Sequence, residues 1–342
     1  MKKLFFFLLP MTASLAGMAQ NMDPYQVKTF PASSITKVES TTSGGNIQVT
    51  GSDAGEAKLE VIVDKNWNKS LSKEEIERRL KDNYELRLEV SSGTLYATAK
   101  PNKRNMDWKN EGLSISFRMV VPHSVASKLT TSGGNITLSE LSGNEEFTTS
   151  GGNLNLMRVK GTIKGTTSGG NITASEVMDD VDLVTSGGNV SAENGKGKIR
   201  LVTSGGSVHV RNLSGDVVAT TSGGNIDGDH TEGELKASTS GGSVNLSHIS
   251  GSVSAGTSGG NISVDIDQLG KYVNVSNSGG RVDLTINSNA GMDLDVSGEK
   301  ITTSTLNGFS GNTSEGRLKG PIKGGGVPVT VHGGGRVYIN IK

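Results

Sequence analysis

TTSGGNITLSELSGNEEFTTSGGNLNL, running from Thr130 to Leu156, holds one full turn of the repeat that governs most of the chain. Ser-Gly-Gly opens it at Ser132 and again at Ser150, then returns at Ser168, Ser186, Ser204, Ser222, Ser240 and Ser258, always 18 residues on. Outlying copies start at Ser43 and Ser278. A fixed period in this range is the signature of a solenoid, in which each unit is too small to bury a core alone and must stack on its neighbours.

Counting the corner serine as position zero, position +4 reads Ile136, Leu154, Ile172, Val190, Val208, Ile226, Val244 and Ile262. Position +6 is mostly apolar, from Leu138 to Val264 with Gly228 interrupting, and +13 and +15 repeat the alternation, apart from Glu145 at +13. Position +17 is threonine in every unit from Thr149 to Thr257. Alternate side chains of a strand point to opposite faces, so period-two patterns on either side of a glycine corner predict two short strands per coil, each with one buried face. Glycines at +11, such as Gly161, Gly197 and Gly215, place a second corner there, because glycine tolerates φ > 0.

The unit between Ser258 and Ser278 is longer by two, and Val273 and Val275 stay in phase if the extra pair lies at the far corner. A triangular hexapeptide helix needs an apolar residue every six, and +10 reads Ser142, Lys160, Met178 and Lys196, which rejects it. The reading is an all-β fold: a flattened parallel β-solenoid of about 18 residues per coil, right-handed by analogy with crossovers between parallel strands. Its corner asparagines, Asn46, Asn135, Asn153, Asn171, Asn189, Asn225 and Asn261, fit either an amide-to-amide ladder between coils or local turn bonding.

Four segments follow: a leader over 1–19, an N-terminal coil with a strand and helix insertion acting as cap over 20–131, regular coils over 132–286 and irregular closing coils over 287–342. The leader has Lys2 and Lys3, the apolar run Leu4 to Leu9 and the small-residue site Gly17-Met18-Ala19, the layout of a cleavable secretory signal. Export is therefore expected, to the periplasm, the cell surface or the medium. No later run approaches the ~20 apolar residues of a membrane-spanning helix. In the insertion, Ser72 to Glu75 form a capping box before Ile76, Leu80 and Tyr84, predicting a helix from Lys73 to Asn83. Strands are expected at Lys58 to Val63, Glu85 to Val90, Thr94 to Ala99 and Ser114 to Val121. Near the C-terminus, GGRV at Gly279 and again at Gly334 marks closing coils around a looped excursion.

Composition removes several functions. The chain has no cysteine, so disulfides, thiolate metal sites and a cysteine nucleophile are excluded. Lys plus Arg and Asp plus Glu are each 34, leaving no basic field for nucleic acid. No phosphate-binding G-x-x-x-x-G-K-[ST] occurs, and no aspartate recurs coil by coil as calcium-binding repeats require.

The leader, the early SGGNI, the junction MVVPHSVASKLTTSGGNI and the terminal LKGPIKGGGVPVTVHGGGRVYINI resemble the bacterial putative-adhesin family, also called Toast-rack, over Ile35 to Lys342. The resemblance implies a β-solenoid on an exported or envelope protein, an adhesion or envelope role, and no established catalytic residue.

Polysaccharide-cleaving β-helices need clustered carboxylates or a cationic base on one face. The outward positions +5 and +7 are mostly neutral, with one exception: stacking sets His209 beside Asp227 and Arg211 beside Asp229. At +8, His230 and His248 become vertical neighbours near Asp229. Two histidines and a carboxylate are metal-ligand types, but no further oriented ligand accompanies them, so no metal and no cofactor are expected, and the patch reads first as a surface ion-pair ladder. Trp67 and Trp108 lie in polar stretches of the insertion, where they either pack it onto the coil end or grip a sugar or protein. The expected function is an exported, non-enzymatic interaction protein whose partner is an envelope protein, surface protein or glycan. A glycan-binding module is the alternative, and a degenerate carbohydrate-active enzyme the third.

Overall fold

A computed structural model describes residues 23–64, 71–103, 107–108, 110–287 and 289–342. The leader and Trp67 lie outside the described residues. From the 13-residue strand Ile136–Thr148 to Val244–Thr257, coils pair in parallel with no slip, and register shifts appear only where Val244–Thr257 meets Ile262–Asn277, around Ile249 and Val253. Leu154, Ile172, Val190, Val208, Ile226, Val244 and Ile262 form one column, and Ile163, Val181, Ile199, Val217, Leu235, Val253 and Val273 another. Register holds because a one-residue slip would turn each apolar set outward. The two extra residues fall between Leu269 and Val273, at the far corner, and the core columns stay aligned.

Each coil has a third inward side that the two-strand reading lacks. The backbone bends first at +8, where Glu140, Arg158, Glu176, Asn194, Asn212, His230 and His248 all take φ between 51° and 57°, and again at the +11 glycines. Between the bends +9 points inward, so that Leu141, Val159, Val177, Leu213 and Ile249 are buried with the columns at +4, +6, +13 and +15. Volume is balanced within columns. Gly165 lies under the Phe147 ring, which occupies the space a side chain there would need, and Gly228 lies between Val210 and Leu246.

The Ser-Gly-Gly corner is closed by the +17 threonine. Thr185 Oγ1 donates to the carbonyl of Gly170 at 2.8 Å and accepts the amide of Gly188 at 3.4 Å, and the same pair of bonds recurs from Thr131 to Thr257. At the last corner Asn277 takes over, its amide donating to Gly260 and accepting from Gly279 and Gly280. The invariant threonine thus satisfies two buried backbone groups that the turn leaves unpaired.

The asparagines form neither of the two expected patterns. Each side-chain oxygen accepts the backbone N–H of the same position one coil on, at 2.8 Å from Asn153 to Asn135, Asn171 to Asn153 and Asn189 to Asn171. Ser207 and Ser243 stand in where asparagine is missing, accepting through Oγ. The ladder therefore runs from side chain to backbone.

Both ends of the rod are built by threading. At the N-terminal end, Ile47–Ser52 lies between Ser114–Pro122 and Ile136–Thr148, and Lys37–Thr41 lies between Thr94–Pro101 and Ala126–Thr130. Antiparallel strands finish this end: Glu56–Asp64 covers Ser114–Pro122, and Tyr84–Ser91 covers Thr94–Pro101. The helix Lys73–Asn83 forms where expected, with the Ser72 hydroxyl accepting from Glu75 and with Ile76 and Leu80 buried.

At the C-terminal end the expected looped excursion is a correction. Met292–Ser297 and Lys300–Thr303 form a stacked coil of their own. The chain then returns to insert Val327–Gly333 and Arg336–Ile341 beneath it, against Ile262–Asn277 and Val282–Ile286. Both edges of these inserted coils are paired, and the antiparallel strand Arg317–Ile322 covers the outer edge of Met292–Ser297.

Candidate functional site

The +8 corner carries a column of outward side chains whose character changes along the rod. Left-handed backbone there is tolerated best by Asn, Asp and His, and it throws each side chain off the corner. Successive rungs are matched. Arg158 pairs with Glu140 at 2.5 Å and with Glu176 at 3.6 Å, and Asn212 donates its amide to Asn194 at 3.0 Å. The next rung is His230 on His248, rings 4.5 Å apart between centroids and 20° from parallel.

Asp229 binds both rings. Its Oδ2 lies 2.9 Å from His230 Nδ1 and its Oδ1 lies 3.0 Å from His248 Nδ1, while Ser247 donates its hydroxyl to the same carboxylate at 2.9 Å. These bonds, His248 first, then His230 and Ser247, hold the Asp229 carboxyl well below the usual carboxylate range. His248 is raised in turn, first by its bond to Asp229 and further by the charges of Asp267 and Asp265.

The expected Arg211 to Asp229 pair is in register but does not form as an ion pair, because the carboxylate is turned to the histidines. His209 does meet Asp227, at 3.3 Å, and Asn245 donates to the same carboxylate at 2.8 Å. These groups line a depression of about 470 Å³ with Glu193 at one side. Trp108 is 52% exposed at a turn.

No curated protein matches the sequence. Residues 172–333 match the family model described as Toastrack DUF4097. The matched segment takes in His209, Asp227, Asp229, His230 and His248 and ends with the inserted strand Val327–Gly333, while the N-terminal insertion falls outside it. Its span is narrower than the Ile35 to Lys342 resemblance.

Among solved structures, the chain is similar to a putative cell adhesion protein from Clostridium sporogenes, at 10% identity and a TM-score of 0.22, over 93% of this chain and 98% of that one. It is also similar to a putative lipid binding protein from Parabacteroides distasonis, at 14% identity and a TM-score of 0.37, over 75% and 97%. A putative adhesin from Bacteroides fragilis gives 16% identity and a TM-score of 0.31, over 75% and 95%. All three likenesses are remote.

The repeat spacing brings the two histidines and Asp229 together, and in the structure one ligand atom of each lies within 4.8 Å of the others. The left-handed corner that aims them had only a faint trace, the Asn and His content of +8.

Proposed function

We propose that this chain is an exported, non-enzymatic interaction protein, a rigid rod that presents flat polar faces to a partner on a cell surface or envelope. The observation that carries the reading is where the polar side chains are spent. Threonine at +17, asparagine at +3 and the +8 rungs are engaged by their own neighbours, which stiffens the rod. In the exposed row at +5, Asn155, Thr173 and Ser263 are left for contact. The Toastrack match and the secretory layout of residues 1–19 are consistent with such a role. Among the described residues no helix is long and apolar enough to cross a membrane.

Protease shaving of intact cells tests the location. The protein should be digested while a periplasmic marker survives, and protection of both would rule out adhesion and leave an internal envelope scaffold.

A second reading is favoured by Trp108, whose exposed ring suits stacking against a sugar. Glycan-array binding that disappears in Trp108→Ala would support it, and binding unaltered by the change would remove it. The catalytic reading is tested by Asp227→Asn with Asp229→Asn, which should alter no polysaccharide-cleaving activity.

A further inference from the structure

We propose that Asp229, His230 and His248 form a surface site for a divalent transition-metal ion of the zinc class, assembled across two adjacent coils. The site does not depend on the adhesive reading of the rod.

Three observations converge on it. His230 and His248 occupy the same corner position one coil apart, and both Nδ1 atoms are turned onto one carboxylate, at 2.9 Å and 3.0 Å. Three candidate ligand atoms, one from each residue, lie within 4.8 Å of one another. The left-handed backbone at both histidines, φ 52° and 53°, fixes the direction in which each side chain leaves the rod, so the pair is held ready by the fold.

The rung is also unlike the others in its column. Arg158 pairs with both Glu140 and Glu176, and Asn194 and Asn212 hydrogen-bond directly. Two stacked imidazoles have no such complementarity, and their nitrogens look to Asp229 alone for a shared partner. Asp265 and Asp267, whose charges bear on His248, add negative potential on the far side.

The chemistry follows from the donor set. Two neutral imidazole nitrogens and one carboxylate oxygen suit zinc, nickel or copper, whereas calcium and magnesium call for six or more oxygens. The ion takes the place now held by the proton between each Nδ1 and the carboxylate, and in each neutral imidazole that same proton passes through solvent to Nε2, leaving the Nδ1 lone pair for the metal. Bonds of 2.0–2.1 Å in a tetrahedron set ligands roughly 3.3 Å apart, and the three candidate atoms, now within 4.8 Å of one another, need only a small closing movement to reach that spacing. The side chains are 40–59% exposed, so the two nitrogens can draw together, and water completes the coordination.

The rod supplies its own control. Asn194 and Asn212 show that an asparagine rung is native at this corner, so His230→Asn with His248→Asn replaces the ligands while keeping a backbone-compatible pair. The full chain, purified without a histidine tag, is titrated with Zn²⁺ by calorimetry. One ion should bind per chain, the double variant should lose at least about tenfold in affinity with an unchanged urea midpoint, and His209→Asn should bind as the parent does. Absence of binding to the parent chain, or binding of equal strength to the double variant, overturns the proposal.

Discussion

The hydroxyl of Thr203 donates at 2.7 Å to the carbonyl of Gly188, the second corner glycine of its own coil. It also accepts the amide of Gly206, the matching glycine of the next coil, at 3.2 Å. One side chain thereby closes a coil and ties it to the one above. Thr203→Val keeps the shape and strands both backbone groups, so it should cost about 2 kcal/mol or more, with Thr203→Ser milder. Urea unfolding followed by circular dichroism checks the order.

The two glycines of the corner should differ sharply. A Cβ on Gly170 would collide with the carbonyl oxygen of Gly152, which belongs to the backbone and cannot swing aside, whereas at Gly169 the nearest atom would be 3.7 Å away. Gly170→Ala should abolish folding or cost several kcal/mol, and Gly169→Ala should stay within about 1 kcal/mol. Equal effects, measured by the same unfolding assay, would mean that the coils do not approach as closely as described.

Glu145 interrupts the apolar +13 column and is fully buried, with one oxygen accepting from the Ser127 hydroxyl and the other unpartnered. Burial pushes its carboxyl up to about 7. Below about pH 4.5 folded and unfolded chains are both protonated at this group, and no penalty arises. Between about 4.5 and about 7 only the folded state holds the proton, so stability falls as pH rises and is level above that. The loss is on the order of 3 kcal/mol. Glu145→Gln should flatten this part of the stability profile, and an unchanged slope in the variant would assign it to other groups.

Asn171 should tolerate serine but not an apolar residue. Its Oδ1 accepts the Asn189 amide at 2.8 Å, and Ser207 and Ser243 already perform that task through a hydroxyl. Asn171→Ser should be near neutral, and Asn171→Val should cost about 1 kcal/mol in thermal or urea unfolding.

The parts of this molecule visible in its sequence are those that repeat or act locally. The 18-residue step aligns every +4 and +13 residue, the Ser72 cap starts the helix at Lys73, and the extra pair before Val273 sits at a corner. The third inward side escaped because its row at +9 is broken by Gly195 and Thr231 and falls out of phase with a two-residue period. The asparagine bonds were misassigned since composition cannot tell an amide partner from the next coil's backbone. Threading at the ends depends on pairing between distant segments, such as Val273 with Val329, which leaves no local pattern. Of the candidate site, the stacking of His230 on His248 followed from the period, whereas the turning of Asp229 away from Arg211 depends on where the left-handed corner aims the rings.

The most direct test uses the absence of native cysteine. Thr173 and Ser191 face each other across adjacent coils, and His209 is the partner of Ser191 one coil further on. Neighbouring strands bring Cα atoms into the range a disulfide accepts, whereas positions two coils apart lie well beyond it. Thr173→Cys with Ser191→Cys should therefore form an intramolecular disulfide on mild oxidation, identified by mass spectrometry of the linked peptides, and Thr173→Cys with His209→Cys should not. The reverse pattern, or equal linkage in both, would contradict in-register stacking of the coils.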